Sequence, residues 1–131
     1  MTLRLWMPVL ALLVLGAPVL AHHSPAAFDR TKEVTLTGVV KEVQWNNPHA
    51  WIQVIVTDQK GKQTEWGFEC GSPNMMSRTG WTRTTLKTGD KVTVVANPLK
   101  DGRPNGSLVR VTLPDGRVLG PGDAPPPKPI K

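Results

Sequence analysis

The chain has 131 residues, a single cysteine and a formal net charge of +6 at pH 7. That length suits one domain with one hydrophobic core, and a lone cysteine excludes a disulfide within the chain. The basic residues are scattered along the sequence, which favours a solvated surface and argues against nucleic acid as a partner.

The first residues have the pattern of an export signal. An apolar run over residues 9–15 follows Arg4, and small residues at Val19 and Ala21 precede a predicted cleavage after Ala21. Prolines interrupt this leader, and no basic stop-transfer sequence follows it, so we do not expect stable membrane insertion. The pattern predicts a signal peptide over residues 1–21 and a periplasmic or secreted protein.

The next segments predict an irregular arm and a long bent strand. Residues 22–32 are polar, and Pro25 opposes regular structure there. Apolar residues then alternate over residues 33–45, with the phase of the alternation changing near Gly38. A glycine at a change of phase is typical of a bulged, strongly curved barrel strand.

Two further strands and one helix follow in chain order. Alternating apolar residues predict strands at 51–57 and 64–70. Ser72 is a suitable N-cap and Gly80 a suitable terminator for a helix over residues 73–79, which carries proline at its first position.

The carboxyl-terminal third predicts two or three more strands, at residues 91–96, 108–113 and 117–119. Residues 33–119 would then form the domain, and the proline-rich residues 120–131 a disordered tail. This order predicts an all-β fold, a small OB-like barrel of five to six strands with one short helix between strands 3 and 4. Another small barrel or a two-sheet sandwich is the alternative.

The histidines suggest a metal site. Cleavage after Ala21 would free the α-amine of His22, which chelates a metal together with its own ring Nδ1. His49 stands where a loop meets the second strand, so an arm folded over that rim would complete a histidine brace, with His23 as a further donor. An all-nitrogen set suits Cu(II). In the alternative interpretation, His49 only hydrogen-bonds a turn.

Other side chains could complete or modify such a site. Asp29 or Glu69 would supply oxygen, whereas Cys70, Met75 or Met76 would supply sulfur, which prefers Cu(I). The alternative is that the two methionines pack the helix onto the core and the cysteine is buried as a small apolar group.

The tryptophans support a second, metal-free hypothesis. Trp45 and Trp51 bracket Asn47, and with Glu69 these residues could bind an envelope partner, a glycan or a small ligand. The alternative is that the indole rings fill a small core. The predicted partner is therefore a metal ion or a small envelope ligand, and the oligomeric state stays open.

The sequence gives little support for an enzyme. Glu65 and Glu69 would lie about 13 Å apart on one strand face, too far for a glycosidase pair. No nucleophile motif or phosphate-binding glycine loop is present. A copper oxidase acting on polysaccharide often uses an axial tyrosine, and the chain has no tyrosine.

Several short motifs together resemble a family of small exported bacterial proteins known as a domain of unknown function. The resemblance implies a secreted or periplasmic β domain and no established activity. The motifs that carry it cover most of residues 22–119: His22-His23-Ser24, Asn47-Pro48-His49, Gly71-Ser72-Pro73-Asn74, Gly80-Trp81-Thr82, Leu86-Lys87 with Gly89-Asp90, and Asn97-Pro98.

Overall fold

A computed structural model describes residues 25–122 of the chain. A 3₁₀ turn at Pro25–Ala27 precedes six strands and one helix. In chain order these are β1 (Val34–Gln44), β2 (Trp51–Thr57), β3 (Gln63–Glu69), α1 (Pro73–Ser77), β4 (Lys91–Pro98), β5 (Asn105–Thr112) and β6 (Val118–Leu119). The predicted signal peptide, together with His22 and His23, lies outside the described residues.

Five of the strands close into a barrel. β1 pairs antiparallel with β2 and with β4, β2 pairs with β3, and β4 pairs with β5. A short parallel pairing between β3 and β5 closes the cylinder, and β6 extends β5. This confirms the predicted all-β, OB-like barrel with one short helix between the third and fourth strands.

β1 bends so that it can belong to both halves of the barrel. Its central residue Gly38 is paired with Val56 on β2 and with Val92 on β4. The register of the β1–β2 pairing shifts between Val40 and Glu42, shortly after the glycine at which the sequence predicted a bulge. Such a shift adds local twist and turns the strand around the core.

The core is built from the inward faces of these strands. Phe68 lies in this core and Trp66 packs against it; their rings are stacked, with centroids 6.0 Å apart and planes 13° apart. Apolar side chains from all five barrel strands are almost fully buried: Val40, Ile52, Val54, Phe68, Val92, Val94, Leu108 and Val111.

Helix α1 packs against the core through Met76 and is shorter than predicted. The Ser72 hydroxyl accepts a hydrogen bond from the Met75 amide, and Met76 points into the core. The helix ends at Ser77 because the next amides bond three residues back, including Thr79 N–H to the Met76 carbonyl at 2.9 Å. Such 3₁₀-type bonds tighten the last turn.

β5 begins three residues earlier than the alternation predicted. The parallel pairing of β3 with β5 joins Gly67 to Asn105, Phe68 to Gly106 and Glu69 to Ser107. The residues at the start of β5 are small and polar, so they have no local strand pattern. They are extended because they pair with β3, which is distant in the sequence.

Both ends of the described chain are attached to the barrel. Phe28 is buried and bridges to Leu99, so the predicted arm contains a 3₁₀ turn and a β-bridge. At the other end, the Gly120 carbonyl accepts a hydrogen bond from the Trp81 indole N–H at 2.9 Å, and the Pro121 carbonyl accepts one from the Gly71 amide at 2.8 Å. Residues 120–122 of the predicted tail are therefore packed, and residues 123–131 lie outside the described residues.

Between residues 25 and 122, no helix has the length and apolar character needed to cross a membrane.

Candidate functional site

A cleft of about 830 Å³ opens at one end of the barrel. It forms where the start of β2, the end of β3, the start of α1 and the middle of β5 come together, and the arm and the carboxyl-terminal segment complete its walls. Its lining residues are Pro25, Phe28, Arg30, Pro48, His49, Trp51, Glu69, Cys70, Gly71, Ser72, Met75, Asn97, Ser107, Leu108, Val109 and Pro121.

His49 is held at this cleft by two backbone hydrogen bonds of the next residue, Ala50. The Ala50 amide donates to the Gly71 carbonyl at 2.9 Å, and the Cys70 amide donates to the Ala50 carbonyl at 2.9 Å. The loop that carries the histidine, with a cis peptide at Asn47–Pro48, is therefore tied to the end of β3.

The hydrogen bonding of His49 defines which of its ring nitrogens carries the proton. Its Nδ1 lies 2.9 Å from the Cys70 carbonyl oxygen, which can only accept a hydrogen bond. Nδ1 is therefore the protonated nitrogen in this contact, and Nε2 carries the lone pair of the neutral ring. The side chain is 45% exposed and lines the cleft, so the ring is open to a metal ion or another ligand there.

Glu69 lies beside this histidine. Its Oε1 is 3.6 Å from His49 Nδ1, its side chain is 14% exposed, and its Oε2 is buried. Glu69 is also the cross-strand neighbour of Trp51, which lines the same cleft. Three of the predicted site residues therefore lie together, around one carboxylate and one imidazole.

Two other predicted site residues lie apart from them. Trp45 is half-buried and packs against the hydrophobic core, and Asn47 is exposed on the loop. Neither lines the cleft. The loop turns between Asn47 and His49, so that His49 and Pro48 face the cleft while the preceding residues do not.

The three candidate sulfur atoms have different environments. Cys70 and Met76 are 3% and 1% exposed, respectively, whereas Met75 is 42% exposed and lines the cleft. Burial, and to a smaller extent the Glu69 carboxylate, raises the pKa of the Cys70 thiol, so the thiol stays protonated at neutral pH. Met75 is therefore the sulfur presented to the cleft.

Two further residues of the site were not predicted from the sequence. Arg30 brings a positive charge to the cleft wall from the arm. Asn97 is a buried polar residue whose Nδ2 donates to the Lys32 carbonyl at 2.8 Å, fixing the arm against β4. Asn97 could have been identified from the sequence, because it is a polar residue that follows the apolar run of β4. Nothing in the local sequence indicates that Arg30 belongs to the site.

Within residues 25–122, no group of three or more His, Cys, Asp or Glu side chains is close enough to hold a metal ion. His49 and Glu69 form a pair only. The other two nitrogen ligands of the predicted brace, His22 and His23, lie outside the described residues.

A family model matches residues 11–108, which is well over half of the chain. The chain belongs to DUF6152, a family of unknown function. This confirms the resemblance to a domain of unknown function, and the match includes the residues that build the cleft from the arm to Leu108. The searches of curated proteins and of solved structures gave no match.

Proposed function

We propose that this DUF6152 member is an exported binding protein that holds a metal ion, with Cu(II) the best candidate, at the cleft beside His49. The ligands would be His49 Nε2 and the α-amine and imidazole of His22, with His23 as a further donor. The role would be storage, delivery or sensing of the ion, without catalytic turnover.

One observation carries this proposal: His49 Nδ1 is bonded to the Cys70 carbonyl, which leaves Nε2 as the donor atom at an open cleft. A backbone carbonyl on the second ring nitrogen is the usual outer partner of a metal-binding histidine, since it sets the tautomer and ring orientation. The nearby Glu69 carboxylate adds negative charge that favours a cation.

The position of Pro25 supports a contribution from the amino terminus. Pro25 lines the same cleft as His49, and it follows His22 by three residues. Consecutive Cα atoms are about 3.8 Å apart, so the Cα atom of His22 cannot be more than about 11 Å from that of Pro25. Covalent geometry therefore allows a terminal histidine to reach the cleft.

The test is calorimetric titration of Cu(II) into a chain that begins at His22. The matched control begins with four additional glycines ahead of His22, which moves the terminal amine away from both histidines. We expect the extra residues to weaken Cu(II) binding by roughly 100-fold, as expected for losing a ligand. Equal affinity of the two chains would remove the brace from the proposal.

A second variant tests the loop ligand. His49→Gln keeps an amide that can donate to the Cys70 carbonyl but has no imidazole lone pair. We expect this variant to keep its circular dichroism spectrum and to lose affinity for Cu(II) by a similar factor. Unchanged affinity would mean that copper binds at the amino terminus without His49 as a ligand.

The size of the cleft favours a second candidate function, the binding of a small organic ligand without a metal. About 830 Å³ is within the range of small-molecule sites, and Trp51 gives the cleft an aromatic wall. Under this proposal, Trp51→Ala would keep the fold and abolish capture of an envelope glycan or metabolite. Loss of folding in Trp51→Ala would assign the ring to the core.

A further inference from the structure

The cleft presents a soft donor atom as well as nitrogen and oxygen. Met75 is one of two large apolar side chains that stay substantially exposed within residues 25–122, and it lines the cleft that contains His49. At this position the thioether, a soft and polarizable donor, is open to a ligand in the cleft.

Short-range geometry explains why Met75 faces the cleft while its neighbour does not. Consecutive residues of a helix point about 100° apart, and Met76 is buried in the core. The Met75 amide is also bonded to the Ser72 hydroxyl at 3.3 Å, which fixes the first turn of α1. With Met76 directed inward, Met75 is left on the side that faces the cleft.

The other two sulfur atoms are withdrawn. Cys70 is buried, and the Met76 thioether lies within the core, so neither sulfur is open to an ion in the cleft. Met75 is therefore the one sulfur ligand that the described part of the chain offers at this cleft.

We propose that the Met75 thioether is an additional ligand that gives the cleft affinity for Cu(I), so that one site holds either oxidation state of copper. This inference rests on the proposed function, because it requires the copper site beside His49. Thioether sulfur is a soft donor that selects Cu(I), whereas the imidazole and amine nitrogens favour Cu(II). The inference concerns binding alone and includes no electron transfer by the protein.

The test compares Met75→Leu with Met76→Leu in the chain that begins at His22. Leucine is close to methionine in volume and apolar character, so each variant removes a sulfur atom with little change in packing. Cu(I) affinity is measured without oxygen by competition with bicinchoninate, and Cu(II) affinity by calorimetry. Circular dichroism checks that both variants fold.

We expect Met75→Leu to weaken Cu(I) binding by about tenfold or more and to change Cu(II) binding by less than about twofold. A tenfold selective loss of Cu(I) affinity equals a fall of about 59 mV in the reduction potential of the bound ion. Met76→Leu should leave both affinities unchanged. X-ray absorption of the Cu(I) form should show a sulfur neighbour that Met75→Leu lacks.

The outcomes separate the two proposals. If the unsubstituted chain binds neither oxidation state, the proposed copper function fails. If it binds Cu(II) and Met75→Leu keeps full Cu(I) affinity, the copper site stands and the role of Met75 is overturned. An equal loss in Met75→Leu and Met76→Leu, or an equal loss of Cu(I) and Cu(II), would assign the effect to packing and overturn it as well.

Discussion

Gly38 of β1 lies directly against Ile55 of β2, closer than any side chain would allow. A Cβ atom at Gly38 would come within 2.6 Å of the Val54 Cγ1 atom and closer still to the Ile55 carbonyl oxygen. Val54 is fully buried, and the carbonyl belongs to the β1–β2 ladder. Neither atom can move without disturbing the barrel.

We therefore predict that Gly38→Ala lowers the free energy of unfolding by about 2–3 kcal/mol, as expected for overpacking against a rigid neighbour. The matched control is Gly67→Ala in β3, where the new methyl group would meet the amide ends of the Asn105 and Gln53 side chains, which can rotate away. We expect this change to cost less than about 1 kcal/mol. Urea denaturation measures both values, and equal costs would contradict the prediction.

The second prediction concerns the packed segment after β6. Trp81 is buried, and its indole N–H is bonded to the Gly120 carbonyl. Trp81→Phe keeps an aromatic ring but removes the donor and part of the ring volume, so we expect a loss of about 2–3 kcal/mol in the free energy of unfolding.

Trp66→Phe is the control for that change, because Trp66 is half-buried and stacks on Phe68. Phenylalanine keeps the stacking, so this variant should lose about 1 kcal/mol or less. Far-UV circular dichroism follows unfolding in both variants. If the two substitutions cost the same, the Trp81–Gly120 hydrogen bond does not hold the segment as described.

The third prediction concerns the thiol. Burial raises the pKa of Cys70, so the folded protein should not react with Ellman's reagent at about pH 8, while the unfolded chain should release one equivalent. Rapid labelling of the folded protein would show that the thiol is accessible.

The raised pKa of Cys70 also makes the free energy of unfolding depend on pH. The folded-state pKa of Cys70 is raised, so above the ordinary thiol pKa of about 8.5 the unfolded chain loses a proton that the folded chain keeps. Stability should therefore fall between about pH 8.5 and pH 10. Cys70→Ala should lack this decline, and urea denaturation across that range would reveal it; the chain has no tyrosine to titrate nearby.

Local patterns predicted the barrel well because its strands are short and alternate. The alternation of Ile52, Val54 and Val56 predicted β2 with its observed limits, and Ser72 and Pro73 predicted the start of α1. What could not be predicted is the pairing of β3 with Asn105, because that contact joins distant segments and depends on barrel closure.

The site was predicted in part. His49, Glu69 and Trp51, which were all candidates from the sequence, lie at one cleft, whereas Trp45 packs against the core. Alternation alone could not distinguish these two tryptophans, because the direction of each ring depends on how the loop between them turns. The contribution of His22 and His23 stays a prediction.

The closure of the barrel has a consequence for whatever occupies the cleft. Only three residue pairs join β3 to β5, compared with seven between β2 and β3. The cleft lies across this short β3–β5 pairing, with Glu69 of β3 on one side and Ser107 of β5 on the other. A ligand that contacts both strands would hold them together, so its binding would make local opening between β3 and β5 rarer. Amide hydrogen exchange at Phe68 and Gly106 would then be slower in the occupied protein than in the free protein.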